Sequence, residues 1–193
     1  MSLEVAIDGY VRELPLKNGQ TCHVRPLEAG DEKAFHRFFL ALPAPELMFI
    51  KNRVTDPKII HEWCQSINYD RNLPLLAFFG DEVVGVATLH QQHGGWKRHV
   101  GRVSVHAHPA YRGLGLARLL VHELIEIARQ SGLEKVEAEF IAKQENAIKM
   151  FSLLGFSQLY CLPDYVKDMQ AIKHDYLMMG LDLITDEEYA GMG

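Results

Sequence analysis

The sequence predicts an α/β fold of the α+β mixed-sheet kind: one mixed, mostly antiparallel sheet of about seven strands with helices on both faces. Three observations carry this expectation. Apolar runs of strand length alternate with segments whose apolar residues recur at the helical period. The turn dipeptides Asn18-Gly19 and Gly80-Asp81 join neighbouring strands as hairpins. Between residues 99 and 141 a strand, a glycine loop, a long helix and another strand follow one another, the order of a parallel β-α-β crossover.

Each element has a local reason. "YVRELPLKNGQTCHVRPL" (10–27) is two strands turned at Asn18-Gly19. "GDEKAFHRFFLAL" (30–42) is a short amphipathic helix whose acidic start matches the helix dipole, and Pro43 and Pro45 stop it. A second helix runs from Asp56, with Pro57 at its first position, to about Ile67. "LPLLAFFG" (73–80) and "EVVGVATLH" (82–90) form an antiparallel pair, and "HVGRVSVHAH" (99–108) is a further strand. Helix 115–131 places apolar residues at 116, 119, 120, 124, 127 and 128, and Gly132 ends it. "EKVEAEFI" (134–141) alternates strictly, as a strand does, and "ENAIKMFSLL" (145–154) is a helix closed by Gly155. "FSQLYCL" (156–162) and "DYLMMGLDL" (175–183) supply the last two strands.

Composition narrows the partners. A 193-residue chain, 48% hydrophobic and without repeats or long linkers, reads as a single domain, 1–193, able to bury about 70% of its unfolded surface without staples. Residues 1–20 form an N-terminal strand and hairpin extension. Three cysteines, Cys22, Cys64 and Cys161, lack metal-ligand spacing, and their odd number argues for reduced thiols in a cytoplasmic protein. No apolar run reaches the roughly 18 residues of a membrane span, and "MSLEVAIDGY" does not have the basic-then-apolar order of a leader. A formal charge of −5 with no basic stripe argues against nucleic acid as a partner. A zinc site built from His90, His93, His99, His106 and His108 fits no standard ligand spacing, so no metal is expected.

The informative stretch is Arg112-Gly113-Leu114-Gly115-Leu116-Ala117, set between a strand and a helix. The first amides of a helix have no intrahelical partner and carry the positive end of the dipole, which suits phosphate. Gly113 and Gly115 remove the Cβ atoms that would hold an anion away, and Arg112 adds a charge. A tight strand-to-helix turn with nothing bound accounts for the loop alone equally well. A P-loop would need Gly-Lys-Ser/Thr, and a dinucleotide fingerprint a third glycine where Arg118 stands.

Together, "VSVHAHPAYRGLGLARLL" (103–120) and "QENAIKMFSLLGF" (144–156) resemble the GNAT superfamily of N-acetyltransferases. Arg112, Gly115 and Ala117 match that family's R/Q-x-x-G-x-G/A loop, and Gly155-Phe156 its Gly-Phe helix ending. The resemblance covers about 21–184. It implies the acyl-CoA N-acyltransferase fold, in which two parallel central strands splay and acetyl-CoA, the cosubstrate, lies in the gap. The backbone of Val105, His106 and Ala107 would then pair with the pantetheine arm, and amides of Gly113, Leu114, Gly115, Leu116, Ala117 and Arg118 would hold the diphosphate. Gln144 stands where the family often has asparagine. Phe151 stands where many members carry the tyrosine that protonates the departing thiolate; a phenyl ring would pack against the cofactor but donates no proton.

Acetyl transfer needs a neutral amine. With a pKa of about 10.4, only about one lysine-like amine in a few thousand is neutral at pH 7, and a positioned base contributes roughly 10²–10⁴-fold. Protein-acetylating relatives place a glutamate early in the strand before the loop; here that position is Arg102, which cannot serve as a base. The candidates for proton transfer are Glu139, His106 and Tyr165. Glu139 shares a strand face with Glu137, where simple solvation accounts for both. His106 and Ser104 lie on the strand beside the thioester that the resemblance implies, and His90 and His93 end a central strand near the substrate face. Tyr165 or Tyr176 could supply the missing phenol, Tyr176 reading better as a core strand residue.

The N-terminal portion is loosely similar to GNAT modules of bacterial protein-lysine acetyltransferases, and the C-terminal portion to members acting on small amines or amino acids. The expected partner is therefore an amine-bearing small molecule or a protein lysine. Members of the family often pair as homodimers, for which the exposed edge of the last strands would serve. A second reading is a GNAT-fold module that binds acyl-CoA without catalysis, as a sensor or partner subunit; the absent tyrosine and glutamate support it.

Overall fold

The computed structural model of the protein describes residues 2–50 and 52–183, so the end of the 21–184 segment lies just outside them. Its strands are β1 (Arg12–Pro15), β2 (Thr21–Pro26), β3 (Asn72–Phe79), β4 (Glu82–Gln91), β5 (Val100–Ala107), β6 (Lys135–Ile141), β7 (Ser157–Lys167) and β8 (Lys173–Asp182). They form one eight-stranded sheet in the order β1-β2-β3-β4-β5-β6-β8-β7. Every neighbouring pair is antiparallel except β5–β6. The parallel pair is joined by α5 (Leu116–Ser131), the expected crossover. No helix among the described residues is long and apolar enough to cross a membrane.

β3 and β4 are buried on both faces because both of their alternating sets of side chains are apolar. On one face Leu75, Ala77, Ala87, Leu89, Val103 and Val136 meet α5 through Leu116, Leu120, Leu124 and Ala128. On the other, Leu76, Phe78, Val83 and Val86 meet α2 (Glu32–Leu40) and α4 (Pro57–Gln65) through Phe35, Phe38, Phe39 and Ile60. A bulge keeps both faces apolar: Ala77 pairs with Gly85 but Phe78 with Val83, leaving Val84 as the extra residue. Arg25 ties β2 to the start of α2, donating from two nitrogens at 2.6 Å each to the Asp31 carboxylate.

The sheet has one strand more than the expected seven or so, because the N-terminal hairpin adds both its arms, Leu14 standing opposite Cys22. The turn at Asn18-Gly19 forms as anticipated, with Gly19 at φ +83°. Two short helices escaped the periodicity. In α1 (Leu3–Ala6) Ser2 Oγ accepts from Val5 N, and Leu3 is fully buried. In α3 (Ala44–Leu47) Pro45 lies in the first turn, where a missing N–H costs nothing; the prolines that end α2 also begin α3. β7 runs on past Pro163, which interrupted its pattern in the sequence, because this is an edge strand that tolerates proline and a register shift between Leu162 and Val166.

Candidate active site

β5 and β6 pair at Val100–Lys135, Gly101–Val136 and Arg102–Glu137, and no further. Beyond this fork they part, although β4 still follows β5 to Ala107 and β8 follows β6 to Ile141. At the closed end side chains fill the space over Gly101: a Cβ there would lie 2.7 Å from Leu89 Cδ1 and 2.9 Å from Leu133 Cδ1. His108 N donates to Val84 O at 2.9 Å, toward β4. Strand alternation therefore turns the N–H groups of Val105 and Ala107 the other way, into the gap. On the opposite lip Ala142 N faces β8, donating to Asp175 O at 3.0 Å, so Ile141 N faces the gap, where Gln144 Oε1 accepts from it at 2.9 Å.

The glycine loop stands at the wide end of this gap. Gly113 and Gly115 adopt φ +77° and +86°, the left-handed region where a Cβ costs about 1–2 kcal/mol. Gly115 is the N-cap of α5. Among the described residues no backbone N–H from 113 to 118 donates to a protein acceptor. The outer face of the loop is braced by the β1–β2 hairpin: Lys17 N donates to Leu114 O at 3.1 Å, and Lys17 Cε lies 3.5 Å from where a Gly115 Cβ would stand. Arg112 donates to the Ala107 carbonyl at 3.3 Å and pairs with Glu46 of α3 at 2.7 Å.

Side chains of even-numbered β5 residues project to the α2 face of the fork. There Arg102 Nη1 donates to Glu139 Oε1 at 2.7 Å, and Lys97 Nζ to Glu137 Oε2 at 3.0 Å. The Glu139 carboxylate, a candidate for proton transfer, is thus engaged by Arg102. His90 Nδ1 lies 2.7 Å from Asn72 Oδ1, and His90 Nε2 3.4 Å from Ser104 Oγ. His106 is farther along β5; removal from water pushes its imidazole below the usual range, Glu46 pulls it up and Arg112 down. Tyr176, opposite Ile141, has its phenol held above the usual range by burial and then by the Glu139 carboxylate. Tyr165 is 66% exposed and its ring lies 5.6 Å from that of Tyr176.

The fold therefore gathers Val105, Ala107, the 112–118 loop and Gln144 around one gap, and Arg102, Glu139, Ser104 and His90 on one face beside it. Phe151, expected against the cofactor, is enclosed: it is 1% exposed, with Phe140 and Phe156 rings at 5.0 and 4.9 Å. Phe151→Tyr is accordingly expected to lower stability by about 1–3 kcal/mol, by burying an unpaired hydroxyl, and to leave turnover no higher; thermal melting and thiol-release assays check both. Lys17, Glu46 and Asn72 belong to this region and were not signalled by the sequence, since each reaches it from a distant element.

A sheet split between two parallel strands, with a bare-backbone loop at the open end and a crossover helix behind it, is the acyl-CoA N-acyltransferase fold. The family model described as the acetyltransferase (GNAT) family matches residues 37–156, more than half of the chain. The chain belongs to that family. Its curated relatives include the thialysine N-epsilon-acetyltransferase of Caenorhabditis elegans, 27% identical over 85 residues, 44% of this chain and 53% of the relative. The L-methionine sulfoximine/L-methionine sulfone acetyltransferase of Salmonella typhimurium is 32% identical over 84 residues, 41% of this chain and 49% of the relative. The chain spans about half the length of these curated relatives. Among solved structures, the GNAT domain of S. lividans PAT superposes with a TM-score of 0.74 at 18% identity, covering 89% of this chain and 96% of that one. A Salmonella typhimurium protein, yncA, solved with its cofactor acetyl-CoA, gives 0.73 at 22% identity, covering 86% and 96%.

Proposed function

We propose that the protein transfers an acetyl group from acetyl-CoA to a primary amine by direct attack within a ternary complex. The observation that carries this reading is the fork itself: β5 and β6 part after Arg102–Glu137, and the open end faces amides 113–118 that no described residue claims. Those amides, with Arg112, suit a diphosphate, each charge-assisted bond contributing roughly 1.5–3 kcal/mol. Val105 and Ala107 offer N–H groups for a pantetheine arm laid along β5 as an added strand, with His106 between them and Gln144 on the facing lip. An arm so placed brings its thioester toward the fork, beside Ser104 and Arg102. Glu139 holds Arg102 in place, and Tyr165, its ring tilted against that of Tyr176 at 5.6 Å, would serve as proton donor to the leaving thiolate.

The acceptor is the amine of a small molecule or amino acid, or a protein lysine; the names of the curated relatives favour an amino acid. Calorimetry with acetyl-CoA, followed by thiol release with thialysine, L-methionine sulfone and a lysine peptide, tests the proposal. Binding together with amine-dependent release is the expected result. Binding without release from any amine would instead establish a non-catalytic acyl-CoA module, and no binding would remove the reading altogether.

A further inference from the structure

We propose that Ser104, His90 and Asn72 form a proton relay that neutralises the acceptor ammonium before acyl transfer, a step that rests on the acetyl-transfer reading above. The three residues come from adjacent strands, β5, β4 and β3, and share the α2 face. Asn72 is directly opposite His90 in the β3–β4 register. Ser104, opposite Thr88, is the diagonal neighbour of His90, within the reach of an imidazole.

The chemistry follows from the order of contacts. An amide oxygen only accepts, so Asn72 Oδ1, 2.7 Å from His90 Nδ1, keeps the proton on that nitrogen. The lone pair of the neutral ring is then on Nε2, 3.4 Å from Ser104 Oγ. Such contacts are commonly long in an unliganded site and tighten when substrate binds. Ser104 also has the right place: Val103 is buried on the other face, so Ser104 is the first side chain of β5 beyond the fork to face the acceptor side. Among the described residues, the charged groups of the neighbouring strands include Arg102, opposite His90 on β5, Arg71, whose carbonyl accepts from Gln91 N at 2.8 Å on the β3 side, and on β6 Glu139, which Arg102 engages, and Glu137, which Lys97 engages.

In the step itself, the ammonium gives one proton to Ser104 Oγ while the hydroxyl proton passes to His90 Nε2, leaving a neutral amine and an imidazolium. The amine nitrogen forms a bond to the thioester carbonyl carbon, and the carbon–sulfur bond breaks. The departing thiolate takes its proton from the Tyr165 phenol, the second nitrogen proton restores that phenol, and His90 later releases its proton to water. Ser104 touches the substrate; His90 accepts through it, and Asn72 is a positioning residue.

The test is the pH profile of kcat/KM for the most reactive of thialysine, L-methionine sulfone and a lysine peptide, with acetyl-CoA saturating. His90→Asn is expected to lower it about 100- to 10,000-fold near neutral pH with acetyl-CoA affinity unchanged. The deficit should shrink about tenfold per pH unit as the pH approaches the amine's own pKa, about 10 for a lysine-like amine and lower for an α-amine, because a neutral amine needs no relay. Ser104→Ala should behave alike, and Asn72→Asp, which keeps the acceptor and adds charge, should move the acidic limb upward. An undiminished rate in His90→Asn, or a deficit equal at every pH, overturns the relay. Should His90→Asn fail to fold, Ser104→Ala decides by the same criterion. If the native chain itself releases no thiol with any amine, the acetyl-transfer reading falls and the relay with it; a native chain that turns over while both variants match it sinks the relay alone.

Discussion

Gly115→Glu is expected to abolish acetyl-CoA binding while leaving the protein folded. Gly115 sits at φ +86°, ψ 0° as the N-cap of α5, so any side chain there costs about 1–2 kcal/mol of backbone strain. Its Cβ meets only ordinary contacts, the nearest being Lys17 Cε at 3.5 Å. The new carboxylate would stand at the positive end of a helix with a lysine beside it, and both offset part of the strain. For a chain of this size each lost kcal/mol lowers Tm by about 2–4 °C, so the variant should melt within roughly 8 °C of the native protein. Binding fares differently. The side chain leaves the loop on the Lys17 side, but its negative charge stands within a few ångströms of the amides that would hold the diphosphate and repels it. Losing two or three charge-assisted bonds, about 4 kcal/mol together, raises Kd about a thousandfold before repulsion is counted. Gly115→Ala separates the causes, since it carries the same strain without the charge and should keep most of the affinity. Calorimetry showing native affinity in the glutamate variant would remove the diphosphate from this loop.

Leu120→Ala should produce the largest loss of stability. Leu120 is fully buried on α5, and its Cδ1 lies 3.0 Å from where a Cβ on Gly85 would stand, so helix and strand interlock without spare room. Removing its methyl groups loses transfer free energy and leaves a cavity that a packed β4 cannot collapse to fill, about 2–5 kcal/mol in all. Tm should fall by about 10 °C, and the urea midpoint should drop with an unchanged m-value. Because Leu120 is one turn inside α5, the loop amides should keep their aim in the molecules that remain folded. Acetyl-CoA affinity at low temperature should therefore change little. A loss below about 1 kcal/mol would mean that α5 is not the packed support of the loop that its burial indicates.

Much of this molecule was legible in its residues. The helical period of 116–131 and the closing Gly132 define α5, the hairpin dipeptides mark their turns, and strict alternation marks β6. Each is a property of a few consecutive residues, governed by backbone conformation and side-chain spacing, so no distant partner is needed to read it. The glycine loop is legible for the same reason: φ values of +77° and +86° belong to single residues whose side chains are absent. The elements that escaped are those whose local signal is short or contrary. Four residues of α1 show no period, the prolines at 43 and 45 both end one helix and begin another, and Pro163 interrupts a strand that an exposed edge allows to continue.

What tertiary structure alone decided is which chemistry faces which. That Arg102 engages Glu139, that Asn72 orients His90, that Lys17 backs Gly115 and that Phe151 is sealed between two rings all depend on strand register and helix docking between segments far apart in the chain. A change of one residue in register would turn the strand residues among them, Asn72, His90, Arg102 and Glu139, to the opposite face of the sheet, and it is the burial of the apolar residues that alternate with them, not any local pattern, that selects the register.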